Sequence, residues 1–205
     1  QPLLFRLLEL CVRENRLTEV TCRGLAVGEA RGEVPFSIGL NGEVAVGEAA
    51  KNVTTLEAFD LERAIRDTQT AQAVVKVPVT TLDDDLGDTP VAFLKIDCEG
   101  FEHRILKGAA KLLERQRPVL FIEVHPLGLE NFGSSARAVV ELLAPHYELE
   151  GWDFSEFRFA PRLIRSLKKH RPTAGRKLAS MEEFLAVTQT APRPSQLYLI
   201  GRPRH

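Results

Sequence analysis

Two apolar runs, Val91-Ala-Phe-Leu-Lys-Ile96 and Val119-Leu-Phe-Ile-Glu-Val124, flank a segment with a helical stripe, and this pattern limits the fold more than any other. Ile105, Ala109, Leu112 and Leu113 recur at helical spacing, while Arg104, Lys107, Lys111 and Arg115 point elsewhere. The spacing predicts one helix over 101–116, stopped by Pro118. Runs this apolar read as strands covered on both faces. A strand, a helix and a second strand in that order form a right-handed crossover unit of an α/β fold. Ligands of such folds gather outside the carboxyl ends of the strands. Those ends fall at Gly28, at Asp97-Cys-Glu-Gly100 and at His125.

The rest of the chain extends the α/β pattern. Leu3, Leu4, Leu7, Leu8 and Cys11 predict a helix over 3–14 with Asn15 as terminator. A strand is expected over 20–27, then short runs 34–38 and 44–46 joined by a tight Asn41-Gly42 turn. A helix is expected around 56–67. Residues 74–81 read as an edge segment, because Pro78 has no N–H to give a ladder. Ser134 or Ser135 caps a helix over 136–144. A strand over 147–152, a short helix near 180–187 and a last strand over 196–201 complete the order. At 205 residues the chain is expected to be one domain, 1–205.

The formal net charge of −1 gives no pull toward nucleic acid or an anionic membrane. No apolar run approaches the roughly 18 residues that span a bilayer. Cys11, Cys22 and Cys98 have no metal-like spacing; two of the three lie in apolar stretches and read as buried thiols, which fits a cytoplasmic setting. Basic residues cluster late, at Arg162, Arg165, Lys168, Lys169, Arg171, Arg176 and Lys177. They read as a solvated face, or else as a patch for an anionic substrate.

Asp97 and Glu99 stand just past a strand end and just before a helix, where a carboxylate can accept a proton, orient a hydroxyl or hold a cation's oxygen shell. The structural alternative is that Glu99 and Glu102 satisfy orphan amide donors at the helix start, and that Lys95 pairs with Asp97. His125 ends the next strand; a neutral imidazole there can serve as a base, or can be merely hydrogen-bonded. Glu123, two residues earlier on the same face, can orient it or share its work. Small residues at Ala26-Val27-Gly28 let a flat base approach the backbone. Thr80 to Asp85 reads as a polar turn with helix-capping residues. No zinc spacing, Gly-x-Ser-x-Gly elbow or phosphate-binding loop occurs, and no metal site is assigned.

Together these segments resemble the FkbM family of methyltransferases. The resemblance rests on Val79-Thr-Thr-Leu-Asp-Asp84, Leu94-Lys-Ile-Asp-Cys-Glu-Gly100, Glu102, Ile105-Leu-Lys-Gly-Ala109 and Pro118-Val-Leu-Phe-Ile-Glu-Val-His125. Upstream, Asn15-Arg-Leu17 and Ala26-Val-Gly28 fit the family's second helix and third strand. The family implies a Rossmann-like class I fold, a mostly parallel sheet in strand order 3-2-1-4-5-7-6 flanked by helices. It implies S-adenosyl-L-methionine as donor and O-methylation of a hydroxyl on a sugar, polyketide or related metabolite. Carried over by position, Asp97 and Glu99 lie beside the methyl group and acceptor, with His125 and Glu123 at the neighbouring strand end. Ala26 and Val27 approach the adenine. The family's Gly-rich first turn has no counterpart, since no Gly-x-Gly occurs in the sequence. The first two strands are therefore expected to be lacking, the chain to be partial and the donor to bind weakly. The competing expectation is a non-catalytic α/β remnant that binds a saccharide or protein partner.

Overall fold

A computed structural model describes residues 2–38, 73–154, 175–190 and 196–204. The chain divides into two compact units, Gln1–Thr80 and Thr81–His205. The expected turn at Asn41-Gly42, the run 44–46, the helix 56–67 and the basic residues from Arg162 to Arg171 lie outside the described residues.

In the first unit, α1 (Pro2–Glu14) ends where the Asn15 side-chain amide donates to the Cys11 carbonyl at 2.8 Å and Arg16 turns to positive φ. The expected strand 20–27 shrinks to β1 (Ala26–Val27), which runs parallel to β3 (Ala73–Thr80); β2 (Gly32–Ile38) pairs antiparallel on the other side. The edge reading of 74–81 is therefore corrected, because β3 is the central strand of three. The Thr80 carbonyl accepts from Gly28 on the β1 side, so Pro78, two residues earlier, turns its ring nitrogen to that same side. With no donor there, the β1 ladder cannot extend back past Ala26, which explains both the tolerance of Pro78 and the shortness of β1.

The second unit begins with α2 (Leu82–Leu86), capped by Thr81, whose hydroxyl accepts from Asp84 N at 3.0 Å. Its sheet has the order β4-β5-β8-β6-β7, built from β4 (Phe93–Ile96), β5 (Val119–Val124), β6 (Tyr147–Asp153), β7 (Arg176–Lys177) and β8 (Leu197–Pro203). Only β4 and β5 are parallel neighbours; β8 is antiparallel to both β5 and β6, and β7 is antiparallel to β6. The expectation of a mostly parallel sheet is corrected to a mixed one.

The helix expected over 101–116 is two helices, α3 (Glu102–Lys107) and α4 (Ala110–Arg115). Gly108 and Ala109 break the run, and the Asp83 carboxylate accepts from Lys111 N at 3.0 Å and Leu112 N at 2.9 Å, capping α4 from outside. An acceptor supplied to mid-segment amides makes the break affordable. The predicted stripe holds: Ile105, Ala109, Leu112 and Leu113 are all buried. Ser135 caps α6 (Ala136–Leu143) by accepting from Ala138 N, while Ser134 bonds the His103 ring instead.

Burial alternates along β5 and β8. Leu120, Ile122, Val124, Leu197 and Leu199 are buried, and their neighbours Phe121, Glu123, Tyr198 and Ile200 are half-buried. The expectation of strands covered on both faces fails most clearly at β4, where Phe93 is 57% exposed. On the buried face, α7 (Met181–Thr190) brings Phe184 against β6 at Gly151, where an added Cβ would lie 2.6 Å from the ring. Arg176 pairs with Asp153 and Glu183, and Lys177 with Glu150, so these two cations of the late basic group serve structural ion pairs. The buried-thiol reading is also corrected, since Cys11 and Cys98 are exposed and Cys22 is partly so. No helix among the described residues is long and apolar enough to cross a membrane.

Tyr147 is buried, and its hydroxyl finds no partner among the described residues. Burial pushes its pKa up to about 12. The folded state thus holds a proton that the unfolded chain releases near pH 10, so stability is full below about pH 10 and falls as pH rises toward about 12. Tyr147→Phe is expected to flatten that alkaline loss and to raise stability by up to about 1 kcal/mol. Urea unfolding of both proteins across this pH range checks it.

Candidate functional site

The site is built where β4 and β5 end side by side in the second unit. Parallel register places Ile96 beside Ile122, so the segments that follow, Asp97 to Phe101 and Val124 to Pro126, emerge at the same edge. The first segment turns sharply: Phe101 N donates to Cys98 O at 3.0 Å, and both central residues have positive φ, +49° at Glu99 and +108° at Gly100. Such a turn favours glycine at both positions, so Glu99 is held there at some backbone cost. The second segment enters α5 (Pro126–Asn131) with Pro126 in the first turn, where its missing N–H costs nothing.

The two segments touch backbone to backbone. A Cβ on Gly100 would fall 2.1 Å from the Gly128 carbonyl carbon, and a Cβ on Gly128 would fall 2.3 Å from the Glu99 oxygen. Only two glycines allow this approach.

This contact brings four of the residues singled out in the sequence together around one imidazole. His125 Nε2 lies 3.6 Å from Glu99 Oε2, 3.7 Å from Glu123 Oε1 and 3.9 Å from Asp97 Oδ1. Its other nitrogen, Nδ1, is 2.7 Å from Glu102 Oε1. Glu102 is fully buried, and the same Oε1 accepts from Gly100 N at 2.9 Å. An oxygen already accepting an amide is an acceptor for the ring too, so the hydrogen-bond pattern assigns the proton to Nδ1 and leaves Nε2 as the nitrogen that faces the carboxylates.

Lys95 Nζ holds Asp97 Oδ2 at 2.8 Å, which leaves Oδ1 toward the imidazole. Tyr198 on β8 donates its hydroxyl to Glu123 Oε2 at 3.0 Å, and the Phe121 ring stacks on Tyr198 at 5.1 Å. Burial pulls the His125 pKa down, but the Glu102 hydrogen bond and the charges of Glu102, Glu99 and Glu123 outweigh it. The imidazole is therefore more basic than an ordinary histidine. The Asp97 carboxylate likewise lifts the pKa of Lys95.

Asp97, Glu99, Glu123 and His125 thus form one cluster. The Lys95–Asp97 pair exists, and Glu102 does satisfy an amide, yet neither removes the group from the site. Ala26 and Val27 stand half-buried at the end of β1 in the first unit. Sequence reasoning missed Gly128, Tyr198 and the bond from Glu102 to His125. Asp97, Glu99 and His125 also place one donor atom each within 4.8 Å of one another, a hard oxygen-and-imidazole set that a divalent cation accepts.

The family model described as the methyltransferase FkbM domain matches residues 6–172. No curated protein and no solved structure matches the chain significantly.

Proposed function

The chain belongs to the FkbM methyltransferase family, and from that premise we propose that it transfers a methyl group from S-adenosyl-L-methionine to a hydroxyl of a sugar, polyketide or related small metabolite. The observation that carries this reading is the single imidazole nitrogen, bare of its proton and ringed by the Asp97, Glu99 and Glu123 carboxylates. The order β4-β5-β8-β6 with an antiparallel β8 supports it, as this is the 4-5-7-6 half of the strand order that the family implies.

The carboxylates suit such a donor chemically, because its sulfonium is a cation. Asp97 and Glu99 would face that charge, and Ala26 and Val27 would take the adenine. When bound, S-adenosyl-L-methionine supplies an electrophilic methyl group. The residues of this chain then have two tasks, which are to align the acceptor oxygen and to remove its proton. His125 Nε2 accepts the proton, since Nδ1 already carries one. Asp97 Oδ1, held by Lys95 through its other oxygen, orients the hydroxyl. Glu123 and Glu99 stabilise the imidazolium that forms.

The test offers labelled S-adenosyl-L-methionine and a panel of sugar and polyketide hydroxyls to the chain, at millimolar donor to offset the absent Gly-x-Gly turn. Label is expected on an acceptor oxygen. Label on no acceptor, with the chain folded, overturns the proposal. With an imidazole to take the proton, transfer is expected to continue after EDTA treatment; loss on EDTA with recovery on added Mg²⁺ would assign Asp97, Glu99 and His125 to a cation instead.

A further inference from the structure

We infer that Glu102 is a positioning residue of this site: its buried carboxylate fixes the His125 tautomer and raises the basicity of the nitrogen that works. The inference rests on the reading of His125 as proton acceptor and adds a residue that the chemistry does not touch.

Three observations carry it. Glu102 is 0% exposed, whereas Asp97 and Glu99 are open to solvent. A charged group so deep is retained at a cost of desolvation, which a helix-start amide alone does not require, since a Ser, Thr or Asp at the cap meets that need. Its Oε1 serves both Gly100 N and His125 Nδ1, so one atom ties the turn that carries Glu99 to the ring that faces it. Its Oε2 has no hydrogen-bond partner among the described residues, so the carboxylate's bonds are concentrated on the Oε1 side, toward the turn and the ring. A carboxylate on the far nitrogen of an imidazole holds the ring's orientation and stabilises its charged form, the same division of labour that serves hydrolytic triads.

The charged groups that face the ring are Asp97 and Glu99 from the segment after β4, Glu102 from α3 and Glu123 from β5. Only Glu102 meets Nδ1. The others meet Nε2 at distances too long for hydrogen bonds. Removing the Glu102 charge should therefore alter the ring in a way that loss of any one neighbour does not.

The experiment is ¹⁵N NMR of the histidine-labelled chain, wild type and Glu102→Gln, titrated over pH. In wild type the neutral His125 ring is expected to carry its proton on Nδ1. Glutamine keeps the size and an acceptor oxygen but loses the charge, so the His125 pKa is expected to fall. In the transfer assay kcat should drop roughly tenfold or more with KM little changed. A wild-type ring protonated on Nε2 overturns the inference without any variant, and so does an unchanged pKa in a folded Glu102→Gln protein. The spectra do not need turnover. The expected shifts without methylation of any acceptor would leave Glu102 as assigned and remove the methyltransferase reading, whereas turnover with an unmoved pKa would do the reverse.

Discussion

Alanine in place of Gly100 is expected to cost at least about 3 kcal/mol of stability and to abolish the site. Two penalties coincide there. The backbone sits at φ +108°, where an L side chain is strained, and the new methyl would lie 2.1 Å from the Gly128 carbonyl carbon. Backbone is what obstructs it, so no side chain can swing away. Relief requires the turn after β4 to part from α5, and that motion pulls Glu99 and the Gly100 amide away from His125 and Glu102. A loss of this size is a large share of the roughly 5–15 kcal/mol that holds a domain together. Chemical denaturation checks it, with Gly87→Ala as the control. Gly87 also has positive φ, +54°, but a Cβ there meets nothing within 4 Å, so only a strain cost of about 1 kcal/mol is expected. Equal costs at the two positions would show that the close approach of the segments contributes nothing.

His125→Ala is expected to lower kcat about 10²- to 10⁴-fold while leaving the fold intact. The side chain is 14% exposed and lies at the rim of the sheet rather than in its core. Its removal leaves Glu102 Oε1 with the Gly100 amide still bonded, so the turn keeps its anchor. Removal also thins a crowd in which four carboxylates surround one ring, which offsets part of the lost contact. Steady-state kinetics at saturating donor, together with a thermal melt, separate the two effects. A melt close to wild type with turnover unchanged would take His125 out of the chemistry.

Much of this site is legible in the sequence because strand ends are legible. Two apolar runs with a crossover between them are parallel neighbours by rule, so whatever follows Ile96 must stand beside whatever follows Val124. That places Asp97, Glu99, Glu123 and His125 together before any coordinate is known. The same logic gives no access to Glu102, which reads as a first-turn carboxylate until the ring of His125 is seen beneath it, 2.7 Å away. Gly128 carries no signal beyond its place two residues after Pro126; its need for the missing Cβ arises only from the segment at Glu99 and Gly100. Tyr198 reaches Glu123 through β8, which is far away in the chain and adjacent in the sheet.

The errors share a cause as well. The helix over 101–116 divides because Asp83, from a separate helix, supplies acceptors to Lys111 and Leu112. Pro78 was assigned to an edge on local grounds, but one side of a strand can lack a donor while the other pairs in full. The mixed sheet follows from β8 returning antiparallel between β5 and β6, a choice of topology that no periodicity encodes.

The central claim is that His125, made more basic by its neighbours, takes the acceptor's proton. The measurement that tests it most directly is the pH dependence of kcat/KM for methyl transfer, in wild type and in His125→Ala. A base works only when unprotonated, so wild-type activity should fall as pH drops through a value above the ordinary 6.5 of histidine. The account predicts that this acid limb disappears in the variant, whose residual rate is low and flat over the same range. An acid limb of the same shape and position in both proteins would contradict it.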